Sequence, residues 1–429
     1  MPYLHGFRRI IFEYQPLVDE ILRVAELEEA SREAGHGIPG SCSEGPVGGA
    51  DSTALLELLE RESQSAFYEE AVSYSLFKVS EAGLVSAAEK LLQHGADLNF
   101  EDPVTYYTAL HVAVLRNQPD VVELLVRHGA DINKRDRVHS SSPLDLASEE
   151  VERLPCLRRL LDLGADINGI DKTGKSALLH SLASSDGVHV HNTDNIKLLL
   201  ERGADVKATM MDGDNVFTFI IFLLGETEGR DQEEAETLRD FCLQTTQLLL
   251  AHSAKPDTCQ PEDSLIYACI NQFEVHLPII RVLLDSGASN HCPEHGPICW
   301  SGFTLLFERL RVLLNGPESM LPHQEALRRA DMALELMVGS VSRPQLSPGW
   351  EIKPTAYPNY TDQVMALSRP LKLLQFSPAS LKHLCRVDIR RLLRPVPLDA
   401  KVKSLPLPDR LKWFLLMENS KDEEEEMQQ

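Results

Sequence analysis

The side chains best equipped for chemistry in this 429-residue chain lie in His291-Cys292-Pro-Glu-His295-Gly-Pro-Ile-Cys299. Two cysteines and a histidine at such short spacing are the residue types that hold zinc, which takes four ligands, and His291 is the sequence's candidate for the fourth. Against that, no Cys-x-x-Cys pair is present, and the stretch falls at a loop between two repeated units. Read as sequence, it is loop structure, and neither metal nor cofactor is assigned. His189 and His191 read as exposed loop residues. The chain carries no phosphate-binding glycine loop, no catalytic triad signature and no Gly-x-Gly-x-x-Gly turn. It is therefore read as a non-catalytic protein.

What remains is the chemistry of surfaces. Leu381, Leu384, Cys385, Ile389 and Leu392 recur at i, i+3, i+4, i+8 and i+11, forming one apolar stripe on a helix over 380–393. Pro395 stops it. A proline-stiffened turn and a second amphipathic helix follow at 405–416, LPLPDRLKWFLL. Between Ala379 and Leu415 there are nine Lys/Arg and three Asp/Glu, in a chain whose formal net charge is −23. So short a segment cannot bury a sufficient core alone and needs something to pack on. By spacing alone, that something is either the chain's own last repeat or a separate protein.

The elements that must position these residues are repeats. LLQHGADLN, LLVRHGADIN, LLDLGADIN and LLLERGADVK are followed by the weaker LLLAHSAKPD and VLLDSGASNH. Gly95, Gly129, Gly164, Gly203, Ser253 and Gly287 mark the copies, at spacings of 34, 35, 39, 50 and 34 residues. That is close to the ankyrin period of about 33. Paired leucines end a second helix, and glycine closes it in the left-handed conformation. Thr108-Ala109-Leu110-His111, Ser142-Pro143-Leu144-Asp145 and Ser176-Ala177-Leu178-Leu179 open first helices, with the hydroxyl placed to cap. The spacing predicts six repeats over 67–296: 70–102, 103–136, 137–171, 172–210, 211–260 and 261–296. The insertions at 180–195 and 224–240 are loops or helix extensions, or else surfaces that select a partner.

Around the repeats, the reading places a helical segment at 1–30 and a flexible Gly/Pro/Ser-rich linker at 31–66. Atypical capping helices follow at 297–340, then a connector at 341–370 and an acidic tail at 418–429. The fold class is all-α. The acidic balance argues against nucleic-acid and anionic-membrane binding. With no export signal or membrane span in the sequence, and eight cysteines read as thiols, the chain is expected to be soluble and cytoplasmic.

Ser380-Leu381-x-x-x-Cys385-x-x-x-Ile389 resembles the BC box, and Leu405-Pro406-Leu407-Pro408-x-x-Leu411-x-x-Phe414-Leu415 resembles the Cul5 box. Together they resemble a SOCS box, at 371–417. Six ankyrin repeats before a SOCS box is the arrangement of the ankyrin repeat and SOCS box proteins. Phe414 stands where that family often has tyrosine. The resemblance implies a substrate-recognition subunit of a cullin-RING ubiquitin ligase. Leu381, Leu384, Cys385 and Ile389 would bind elongin C, which elongin B accompanies. Leu405, Pro406, Leu407, Pro408, Leu411, Phe414 and Leu415 would select cullin-5 and its RING partner. The repeats would hold a target protein for ubiquitination and proteasomal degradation, with Tyr106, Tyr107, Arg137, His139 and Met211 in the finger loops as candidate contacts. The competing reading is a scaffold that assembles an intracellular signalling complex without ubiquitination.

Overall fold

The computed structural model describes residues 14–35, 54–227, 229–258, 260–316, 321–347, 349–393 and 398–417. The first thirteen residues, most of the expected linker and the acidic tail lie outside that set. The chain divides into two compact units, Met1–Ser185 with His189–Met211, and Asp186–Val188 with Asp212–Gln429.

The first unit is a stack of antiparallel helix pairs. They are α1 (Gln15–Gly35) with α2 (Ala54–Glu62), α3 (Tyr68–Ala82) with α4 (Val85–Gln93), and α5 (Ala109–Leu115) with α6 (Pro119–Arg127). Next come α7 (Pro143–Ser148) with α8 (Leu154–Asp162) and α9 (Ala177–Ala183) with α10 (Thr193–Glu201). First helices pack on first helices along the series α1, α3, α5, α7, α9, and second helices do the same. The repeated leucines explain the stack: Leu91, Leu125, Leu160 and Leu199 are fully buried between successive pairs. Each is also the acceptor of the same helix-closing bond, from Ala96, Ala130, Ala165 and Ala204 respectively, at 3.0 Å in every copy. That bond needs the intervening glycine in the left-handed region, and Gly95, Gly129, Gly164 and Gly203 lie at φ of 88 to 99°.

One expectation changes here. Residues 54–62 are not linker. Leu55, Leu58 and Leu59 form a buried i, i+3, i+4 face, and α2 packs against α1 and α4. Together α1 and α2 add a helix pair in front of the first repeat.

The second unit continues the pattern with α11 (Val216–Gly225) and α12 (Gln232–Ala251), then α13 (Leu265–Asn271) and α14 (Phe273–Ser286). Much of the 224–240 insertion lengthens α12, whose Asp231 cap accepts from the Glu234 amide at 2.9 Å. At the fifth marker, Ser253 takes the left-handed role at φ 68° without being glycine. A short antiparallel hairpin, β1 (His291–Cys292) with β2 (Gly296–Ser301), is an addition to the all-α expectation.

The hairpin leads into α15 (Gly302–Asn315) and α16 (His323–Ser340), which stack on α13 and α14 as a further pair. The expected connector ends early: α17 (Thr361–Phe376) is a helix against α16, with Val364 and Leu371 buried. Pro370 sits inside that helix, which is why the sequence reads as a break. Three helices complete the unit: α18 (Leu381–Leu393), α19 (Leu398–Ser404) and α20 (Asp409–Leu416).

Candidate functional site

Helix α18 allocates its two faces opposite to the usual rule. At about 100° per residue, Leu381, Leu384, Cys385, Ile389 and Leu392 share one side, while His383, Arg386 and Arg390 share the other. The polar side is the one packed inward. Arg390 is 1% exposed, donates to the Leu415 carbonyl at 2.6 Å, and pairs with Asp285 at the end of α14. His383 is buried, its Nε2 2.8 Å from the Val341 carbonyl oxygen. Arg281 of α14 donates to the Leu416 carbonyl at 3.3 Å. The helix is thus held to α14 by the Arg390–Asp285 pair and to the residue just after α16 by His383, while Arg390 and Arg281 hold the last helix by its carbonyls.

The apolar side is left in solvent. Leu381 is 76% exposed and Leu392 79%, and Leu384, Cys385 and Ile389 are also exposed. A helix that buries arginine and exposes leucine is a helix docked on its own chain by one face and offering the other. The stripe therefore does not dock on the chain's own last repeat; the opposite, polar side of the helix packs inward instead.

The second motif divides as well. Leu398, Val402, Leu415 and Leu416 make a small core, onto which Leu393, Leu405 and Leu407 pack. Leu405, Leu407 and Leu415 thus hold the segment together, a correction to reading the whole motif as one outward surface. Pro406, Pro408 and Leu411 remain exposed. The Phe414 ring is clamped by the Lys382 ammonium at 4.6 Å and the Arg386 guanidinium at 4.8 Å, both from α18. The ring thus links the last helix to α18. Met417, at φ 56°, packs against Gly339 of α16.

In the first unit, each finger turn is closed by a buried aspartate. Asp102 accepts from the Val104 and Thr105 amides; Asp136 accepts from Val138, His139 and Ser141; Asp171 accepts from Thr173 and Lys175. Desolvation works upward on Asp136, yet the three amides outweigh it and hold its carboxyl below the ordinary aspartate value. These pins escaped the sequence reading, although an Asp recurring six or seven residues before these first helices was the available signal.

Of the candidate finger contacts, Tyr106 and Arg137 come together from adjacent fingers, the guanidinium 5.9 Å from the ring centre and paired with Glu101 at 2.6 Å. His139 is exposed, and Met211 is 79% exposed with its amide donating to the Thr173 carbonyl at 3.0 Å. Tyr107 instead turns inward, stacked on buried His111 at 5.5 Å. It supports the turn.

Stacked helix pairs with aspartate-pinned fingers, ahead of a three-helix segment with an outward apolar stripe, define an ankyrin-repeat protein that carries a SOCS box. The comparisons agree. The profile for ankyrin repeats matches over residues 56–136 and 76–171, and the SOCS box profile matches residues 377–416. The chain is 57% identical to "Ankyrin repeat and SOCS box protein 6" of Homo sapiens and to that of Pongo abelii, each over 429 residues and 100% of both chains. It is 58% identical to the Mus musculus protein of that name over 420 residues, 98% of this chain and 99% of the other. The chain belongs to the ankyrin repeat and SOCS box family, a family of SOCS-box adaptors and not a catalytic one. Among the described residues, no helix is long and apolar enough to cross a membrane.

Proposed function

We propose that the chain is the substrate-recognition subunit of an elongin B/C–cullin-5–RING ubiquitin ligase. The observation that carries this reading is the outward stripe of α18. Leu381, Leu384, Cys385 and Ile389 form an apolar ridge on a helix whose opposite side is already anchored, and elongin C would cover it. Pro406, Pro408 and Leu411 form the exposed remainder of the second motif, which would meet cullin-5 with its RING partner. Exposed finger residues, Tyr106 and Arg137 foremost with His139 and Met211 beside them, would contact the target protein. The subunit contributes no catalytic group. By holding target and ligase at once, it raises the effective concentration of target lysines beside the charged conjugating enzyme. Work on cytoplasmic proteins suits this role.

The test is copurification of elongins B and C with the full chain. Leu381 is 76% exposed, so its replacement leaves the fold intact. Burying such a leucine is worth about 1–2 kcal/mol, so Leu381→Ala should weaken elongin binding roughly 5- to 30-fold. Leu381→Asp with Cys385→Lys should abolish it. Equal recovery of elongins by wild type and the double variant refutes the ligase reading and leaves the signalling scaffold.

A further inference from the structure

We infer that the 291–301 hairpin is a zinc site, with Cys292, His295 and Cys299 as protein ligands. In sequence these residues lacked a partner motif. In the folded chain their ligand atoms all lie within 4.8 Å of one another. Tetrahedral zinc with sulfur at about 2.3 Å and nitrogen at about 2.0 Å sets its donors roughly 3.5–3.8 Å apart. The Cys292 Sγ and His295 Nδ1 stand 3.8 Å apart. Small side-chain rotations close the rest.

The hairpin is built to hold that geometry. Its base is fixed by the Gly302 amide donating to the Asn290 carbonyl at 2.7 Å and by Ser301 Oγ donating to the Gln345 carbonyl at 2.7 Å. Trp300 is buried edge-on against Tyr267 at 5.5 Å. Gly296, at φ 60°, makes the turn that folds His295 back toward Cys292.

A second observation bears on the sulfur itself. Finger turns of the first unit are closed by a buried carboxylate that gathers backbone amides. In this hairpin the Cys292 sulfur has that place: it is fully buried and lies 3.4 Å from the His295 amide nitrogen, which donates to it. An amide directed at sulfur orients it, as outer-shell donors do around metal ligands. His291 is not among the side chains whose ligand atoms cluster here.

Two thiolates and a neutral imidazole suit zinc over calcium or magnesium, which prefer oxygen. Binding converts both thiols to thiolates and releases their two protons to solvent. The two negative charges then balance Zn²⁺, and the fourth position is completed by water or another donor. The metal would do for this finger what aspartate does for the others.

The experiment uses the full chain, purified under reducing conditions without chelator. Elemental analysis should find about one equivalent of zinc, falling at least tenfold in His295→Ala and in Cys299→Ser. His295→Cys, which restores a donor, should retain it. Both positions are exposed, so these variants should keep the helical circular dichroism of wild type. Cobalt(II) exchanged into wild type should give the visible absorption of a tetrahedral thiolate site, absent from His295→Ala. Zinc far below one equivalent in wild type, zinc undiminished in the two loss variants, or a Cys292–Cys299 disulfide in unreduced peptide mass spectra would each overturn the proposal.

Discussion

Arg390→Ala should detach the C-terminal helices from the repeats while sparing everything in the first unit. Arg390 is 1% exposed, and its partner Asp285 is 17% exposed at the side chain. Removing one member of a buried pair typically costs about 3–5 kcal/mol, because the other charge is stranded. Asp285 can recover some water, which lowers the figure, but the Leu415 carbonyl also loses its donor. Together these give roughly 2–4 kcal/mol. The cost falls on local opening of α18 to α20, so their amides should exchange with deuterium roughly 30- to 1,000-fold faster. Mass-resolved hydrogen exchange reads this peptide by peptide, with α5 to α8 as the internal reference. Arg390→Met with Asp285→Leu, which replaces the pair by apolar groups, should restore most of the protection. Leu381→Asp, on the opposite side of the same helix, should leave exchange unaltered and remove only elongin binding. If Arg390→Ala changes protection of 381–416 by less than about threefold, the seating of this helix on buried charge is wrong.

Further outcomes follow from the same physics. His276 is 2% exposed, and burial, reinforced by the Arg239 charge, lowers its pKa to about 4. The unfolded chain therefore binds a proton first as pH falls, so the second unit should lose up to about 3 kcal/mol between pH 6.5 and 4. His276→Leu should flatten that part of a denaturation-versus-pH curve. Ser253→Gly should stabilise the second unit by about 0.5–1 kcal/mol, measured by urea melts, because Ser253 holds φ 68° against its side chain. Asp136→Ala strips three amides of their acceptor and should cost the first unit about 2 kcal/mol in the same assay. Leu411→Asp should lose cullin-5 in pull-downs while keeping elongins, since Leu411 is exposed and lies off α18.

The repeats were legible because each copy restates one physical solution: a leucine buried between pairs, then glycine at positive φ. Leu125 with Gly129 and Leu160 with Gly164 show it plainly. The pair α1 and α2 was obscured by intervening Gly, Pro and Ser, which masked the Leu55-Leu58-Leu59 face. Pro370 hid α17 in the same way. The stripe on α18 was visible as a period, but which side faced solvent was not. Charge ordinarily marks an exposed face, and here Arg390 and His383 find carbonyls and a carboxylate far along the chain. Leu405, Leu407 and Leu415 were read as surface because a motif lists residues without distinguishing those that shape it from those that touch a partner. Asp102, Asp136 and Asp171 were passed over because a single acidic residue in a loop ordinarily signals only solvent.

The seating of α18 also has a consequence for where ubiquitin lands. Arg390 and His383 tie the apolar ridge of α18 directly to α14 and to the residue just after α16. In the proposed ligase, any part of a target held by the second unit itself is therefore kept in fixed register with the ridge that elongin C would cover. Lysines are then chosen by their coordinates on the target, and the sequence around them matters little. Loosening the Arg390 anchor would widen the zone of modified lysines as it weakens the assembly, turning a fixed gauge into a slack tether.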